Sequence, residues 1–165
     1  MSEREKHIEA NIVNEPAAAY YAAPSSMLPF YSLLGGVKQS SFSTDYDILQ
    51  LTRHGLQKRV LLGLAKKISL TLQELSNIMH ISERTFQRYE DNDIVKPEYS
   101  EKAVELARLY SRGEEVFGSM DNFKTWMKTP SAIFNSESPI SLLDTSFGFD
   151  MVFTELGRIE HGIFA

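Results

Sequence analysis

The chain has 165 residues, 42% hydrophobic and 24% charged, with a formal net charge of −5. That balance suits one soluble domain of ordinary size or two small helical ones, and no run nears the ~18 consecutive apolar residues of a membrane helix. With no cysteine and four scattered histidines (His7, His54, His80, His161), disulfides, thiol nucleophiles and thiolate metal sites are excluded, and no metal or cofactor is expected.

The N-terminus, MSEREKHIEANIVNE, is charged and lacks the apolar core of a secretory signal, so a cytoplasmic protein is expected. Residues 1–44 read as a partly flexible N-terminal arm. Pro16, Pro24, Pro29 and Gly35–Gly36 preclude a long helix there. Tyr20, Tyr21, Phe30 and Tyr31 are the side chains through which the arm could dock.

From Asp45 the pattern turns helical, and residues 45–97 are predicted to form a first domain. Ile48 and Leu51 share a face before Gly55 interrupts. Leu56, Val60, Leu64 and Ile68 then recur at the spacing of a buried helix stripe. Thr71 followed by Glu74 forms a capping-box pattern, opening a short helix with Leu72, Leu75 and Ile78 that ends near Met79–His80. Ser82 can cap the next helix, with Phe86 and Tyr89 inward.

Residues 71–90, TLQELSNIMHISERTFQRYE, have the layout of a DNA-binding helix-turn-helix. Ser76 is the small residue where the two helices cross. His80 stands at the turn position that often takes glycine, and histidine tolerates positive φ better than most residues. Ser82, Glu83, Arg84, Gln87 and Arg88 fall at the start or on the outer face of the second helix. They are residue types that read base edges or bind phosphate. A helical hairpin that merely packs remains the plain alternative.

Charge is unevenly distributed. Residues 51–90 carry seven basic and three acidic side chains, whereas residues 91–165 carry seven basic and thirteen acidic ones. A basic island in an acidic protein fits a confined phosphate-contact surface, although ordinary solvated helix faces would look similar.

Residues 98–165 are predicted to form a second helical domain, which makes the fold class all-α. Ser100 is expected to cap a helix through Arg112, ended by Gly113. Ser119 caps a short helix with Phe123, Trp126 and Met127, stopped by Thr129–Pro130. Pro139 suits the first turn of another, holding Leu142 and Leu143. Thr145 or Ser146 opens the last, through Val152, Phe153 and Leu156 to about Glu160. Phe117, Phe123, Trp126 and Phe153 are expected in the core, and Asp144–Thr145 as loop and cap. No motif unites the His, Asp, Glu and Ser residues into catalytic machinery, so no enzyme is expected.

Several ordered pieces of this half carry a resemblance. They are Val116–Phe117–Gly118, Trp126 with Thr129–Pro130, Ser138–Pro139 with Leu142–Leu143–Asp144–Thr145, Gly148, and the terminal LGRIEHGIFA from Leu156 to Ala165. Together they resemble the toxin-binding domain of the Xre/MbcA/ParS antitoxins, and the upstream segment resembles the Xre-type helix-turn-helix of antitoxins of RES-type toxins. The resemblance implies a type II antitoxin that binds and inhibits an NAD-consuming RES-type toxin. It further implies autoregulation through operator DNA, with the C-terminal end reaching the toxin's active-site region. On this reading Arg158, Glu160, His161, Gly162, Ile163, Phe164 and Ala165 contact the toxin. A homodimer is expected, because helix-turn-helix proteins commonly read two half-sites. Plainer roles exist: Arg158 compensates the helix dipole, and Glu160 and His161 are solvated. The competing function is a stand-alone transcriptional regulator whose C-terminal domain dimerises or binds a ligand.

Overall fold

A computed structural model describes residues 27–35 and 45–162 of the chain. The helices are α1 (Met27–Leu33), α2 (Asp45–His54), α3 (Lys58–Lys67), α4 (Leu72–Met79), α5 (Glu83–Gln87), α6 (Pro97–Phe117), α7 (Met120–Lys128) and α8 (Ser146–Glu160). Two 3₁₀ helices, Ala132–Phe134 and Pro139–Asp144, join α7 to α8. Among the described residues extended pairing is limited to two isolated bridges, Gln57 with Ile94 and Ser131 with Glu137. The fold is all-α.

Helix α6 is the central strut. It packs against α1, α2, α3, α4, α7 and α8, and Ala103, Leu106, Ala107, Leu109 and Tyr110 along it are wholly buried. The same helix therefore lies under both the helix-turn-helix and the C-terminal helices. Its ends differ from the sequence expectation. Pro97 fills the first turn, where its missing N–H is not needed, and Lys96 stands at the N-cap without a side-chain bond. Ser100, expected as a cap, is instead buried within the helix, where its Oγ accepts from the backbone N–H of Leu56 at 2.8 Å. Gly113, expected beyond the helix end, is buried inside it, and a Cβ there would collide with the ring of Phe123. The helix stops only at Gly118, whose φ of 73° turns the chain. Hydrogen bonding to the Leu56 N–H, between α2 and α3, and ring packing from α7 thus decided both positions, and neither is visible in local patterning.

Helix α1 lies within the stretch read as an arm. Phe30, Tyr31, Leu33 and Leu34 are buried in the common core, Phe30 and Tyr31 meeting edge-on at 5.2 Å. Lys67 holds the C-terminus of α1 by donating to the carbonyls of Ser32 and Leu33. Tyr20 and Tyr21 lie outside the described residues.

The predicted stripe of Leu56, Val60, Leu64 and Ile68 is buried. Gly55 is required where α2 gives way to it. Its φ is 86°, and a side chain would meet the Val95 carbonyl oxygen at 2.9 Å. At the other end, Tyr110, Phe117, Phe123 and Trp126 form an aromatic cluster with centroids 5.1–5.7 Å apart. Phe123 is fully buried, while Phe117, Trp126 and Phe153 pack half-buried against the core.

Candidate functional site

The helix-turn-helix is built by local bonds that its sequence specifies. Thr71 Oγ1 accepts from the Glu74 N–H at 3.1 Å, and Glu74 Oε2 accepts from the Thr71 N–H at 2.7 Å, completing the capping box. Helix α4 ends at His80, which adopts the left-handed conformation (φ 52°, ψ 38°). The Ile81 N–H reaches the Ser76 carbonyl and the His80 N–H that of Asn77, the bonding of a Schellman turn. Ser82 then caps α5, its Oγ accepting from the Thr85 N–H at 3.1 Å.

Helix α5 is short, with its last bonds tightened to three-residue spacing at Arg88 and Tyr89. Phe86 fixes it to the core and is 1% exposed. The Lys58 ammonium sits 5.7 Å over the Phe86 ring and donates to the Tyr89 carbonyl at 2.6 Å. Ser82, Glu83, Arg84, Gln87 and Arg88 are all exposed. Neither Arg84 nor Arg88 has an ion pair or side-chain hydrogen bond among the described residues. Both cations are therefore available to phosphate or base edges.

The basic island is smaller in three dimensions than along the chain. Lys58 is turned inward and Lys67 is committed to α1, leaving Arg53, Arg59, Lys66, Arg84 and Arg88 outward. Nothing in the sequence distinguishes an inward lysine from an outward one, because both stand at solvent-tolerant helical spacing.

The turn of the helix-turn-helix also touches the C-terminal half. His80 Nε2 bonds the Asp144 carbonyl at 2.5 Å, and Lys128 Nζ donates to the Ser69 carbonyl at 2.8 Å while lying 3.5 Å from Glu74. An open cavity of about 630 Å³ runs along this seam, between Ser76, Asn77 and His80 on one side and Ile140, Ser141 and Asp144 on the other.

The C-terminal half ends on α8. Thr145 caps it, its Oγ1 accepting from the Gly148 N–H at 3.0 Å. Gly148 packs so close to the preceding 3₁₀ helix that a Cβ would overlap the Leu142 carbonyl. Phe149, Val152 and Leu156 face the core, with the Lys102 ammonium 4.6 Å over the Phe149 ring. Glu155, 4% exposed, is paired with Arg158 at 3.4 Å. Glu160 is paired with Arg112 of α6, which also meets Glu115 at 3.1 Å. Two residues of the predicted partner-contact set, Arg158 and Glu160, thus already hold ion pairs within the chain. His161 and Gly162 are exposed just beyond the helix, and Gly162 has φ 66°. Ile163, Phe164 and Ala165 lie outside the described residues. Sequence reasoning passed over Glu155 and Arg112, which stand in an amphipathic charge pattern like any other.

On the outer side of α8, Phe147, Asp150, Met151, Thr154 and Arg158 follow one another down the helix and, with Ile133 and Phe134, line a groove of about 310 Å³. Phe147 is 74% exposed, Ile133 47% and Met151 36%. The i, i+4 pairing of Phe147 with Met151, off the Phe149–Val152–Leu156 stripe, was the available signal in the sequence.

Residues 47–108 match the family model of the antitoxin Xre-like helix-turn-helix domain, and residues 112–162 that of the antitoxin Xre/MbcA/ParS C-terminal toxin-binding domain. The chain is similar to an Antitoxin Xre of Yersinia enterocolitica, 34% identical over 100 residues that cover 59% of this chain and 67% of that protein. It is also similar to an Antitoxin Xre of Photorhabdus laumondii, 35% identical over 65 residues that cover 39% and 44% of the two chains. Both matched domains are binding modules, one for DNA and one for a toxin, and neither is an enzyme. With both domains in order along one chain, this protein belongs to the Xre/MbcA/ParS family of antitoxins.

Proposed function

We propose that the protein neutralises a RES-type, NAD-consuming toxin by seating its C-terminal end in the toxin's active-site mouth. We further propose that it represses its own operon through α4 and α5, acting as a homodimer. The observation that carries this reading is the delivery of Arg158, Glu160, His161 and Gly162 to the surface at the end of α8, within the unit matched to a toxin-binding domain. A site built for NAD must hold a pyrophosphate and so is expected to be basic. The excess of acidic residues over 91–165 favours encounter with such a mouth. Occluding it inhibits without any catalysis by the antitoxin. The intrachain pairs then have a positioning role: Arg112 holds Glu160 and thereby sets where the chain leaves the helix. Exposed Arg84 and Arg88, beside Ser82, Glu83 and Gln87, support the operator role, and two copies of the motif would read two half-sites.

The test is rescue of growth. The product of the neighbouring reading frame would be co-expressed with the full chain and with a chain ending at Gly162, while growth and cellular NAD are followed. That truncation leaves α8 and its pair with Arg112 intact. Protection by the full chain alone, with NAD restored, supports the reading. Protection by both chains retains the antitoxin but refutes a plug formed by Ile163, Phe164 and Ala165. Protection by neither favours a stand-alone regulator.

A further inference from the structure

We infer that the toxin is gripped by the outer face of α8, in the groove of Ile133, Phe147 and Met151, and not by the chain terminus alone. This inference rests on the antitoxin reading and names the surface through which it operates. Of the large hydrophobic side chains left exposed among the described residues, three belong to residues 112–162, and all three line this one groove. An apolar patch concentrated on a binding module and rimmed by polar groups is the surface pattern of a protein interface. Phe147 is a projecting aromatic of the kind that dominates binding energy, and Asp150 beside it has no intrachain partner among the described residues.

The local geometry explains why Phe147 cannot retreat. Gly148 is pressed against the Leu142 carbonyl and Phe149 is buried under Lys102, so the first turn of α8 is fixed and its other face must point outward. Arg158, which the proposed function assigns to the toxin, lines the same groove further down the same face of α8. The groove and the chain end are therefore continuous, and one partner can cover both. The occupant is an apolar projection of the toxin, with a basic side chain to meet Asp150.

The test is a calorimetric titration of the purified full chain with the purified product of the neighbouring reading frame, alongside light-scattering mass of the free antitoxin. Phe147→Ser is expected to weaken binding by roughly thirtyfold or more, and Met151→Ser by roughly tenfold. Tyr46→Ser removes an equally prominent aromatic on α2, 63% exposed, and should stay within about threefold. A melting profile matching the parent's excludes misfolding, since Phe147 lies mainly in solvent. Binding by Phe147→Ser and Met151→Ser as tight as the parent's would overturn the inference. A halved mass for free Phe147→Ser would also overturn it, by showing that a second copy covers the groove. No binding by the parent chain itself would remove the antitoxin reading and this inference together, and that failure is seen before any variant is tested.

Discussion

Gly148 is the position where one methyl group should matter most. A Cβ there would overlap the Leu142 carbonyl oxygen and stand 2.7 Å from its carbon, where ordinary contact begins near 3.4 Å. In Gly148→Ala the 3₁₀ helix Pro139–Asp144 must therefore withdraw by about 0.7 Å or more, judged on the carbon alone. It is not free to do so, because Pro139 and Leu143 anchor it in the core and His80 bonds the Asp144 carbonyl. Overpacking of this kind costs about 1–3 kcal/mol, and straining the histidine bond adds about 1 kcal/mol. Helix propensity returns at most about 1 kcal/mol, less in the first turn. The net loss is about 2 kcal/mol, or about 4–8 °C in Tm for a chain of this length. Gly63 is the control. It lies in α3, where a Cβ would meet nothing within 4 Å, so Gly63→Ala should gain about 0.5–1 kcal/mol and raise Tm by about 1–4 °C. Thermal melting by far-UV circular dichroism measures both. Shifts of the same sign, or a Gly148→Ala variant melting with the parent, would refute the close-packing argument.

Tyr110 is buried with its hydroxyl unpartnered among the described residues, and burial, then Glu74, raises its pKa above the ordinary 10.0. Its stabilising contribution as a neutral phenol is intact below pH 10 and is lost as the pH rises above it, where the unfolded chain releases the proton first. Tyr110→Phe should thus be neutral to about 1 kcal/mol stabilising at pH 7 and should flatten the alkaline limb of a stability–pH curve. Lys58→Met loses the bond to the Tyr89 carbonyl and the cation over Phe86, and should cost about 1–2 kcal/mol in urea denaturation. Arg84→Ala should leave stability within about 0.5 kcal/mol, weaken operator binding, and lower the slope of log affinity against log salt by about 1. An unchanged slope would mean that Arg84 meets no phosphate.

The helix-turn-helix was legible in the sequence because its determinants are local. The capping box of Thr71 and Glu74, the left-handed His80 and the Ser82 cap are bonds within a few residues, so residue type and spacing suffice to place them. The buried stripe of Leu56, Val60, Leu64 and Ile68 follows from helical period alone. What lay beyond reach was decided by groups distant along the chain. Ser100 became a buried acceptor because the Leu56 N–H, 44 residues away, needed a partner, and Gly113 became a helix interior because a ring of α7 rests on it. Lys58 turned inward to the Tyr89 carbonyl, Lys67 at the surface is tied to carbonyls of α1, and Arg112 reached across to Glu160. Phe147 was left outside because the packing of Gly148 against Leu142 fixed the orientation of α8. Local bonds set each helix; only the packing between helices could decide which faces remain for DNA and for a toxin, since burial is a property of neighbours.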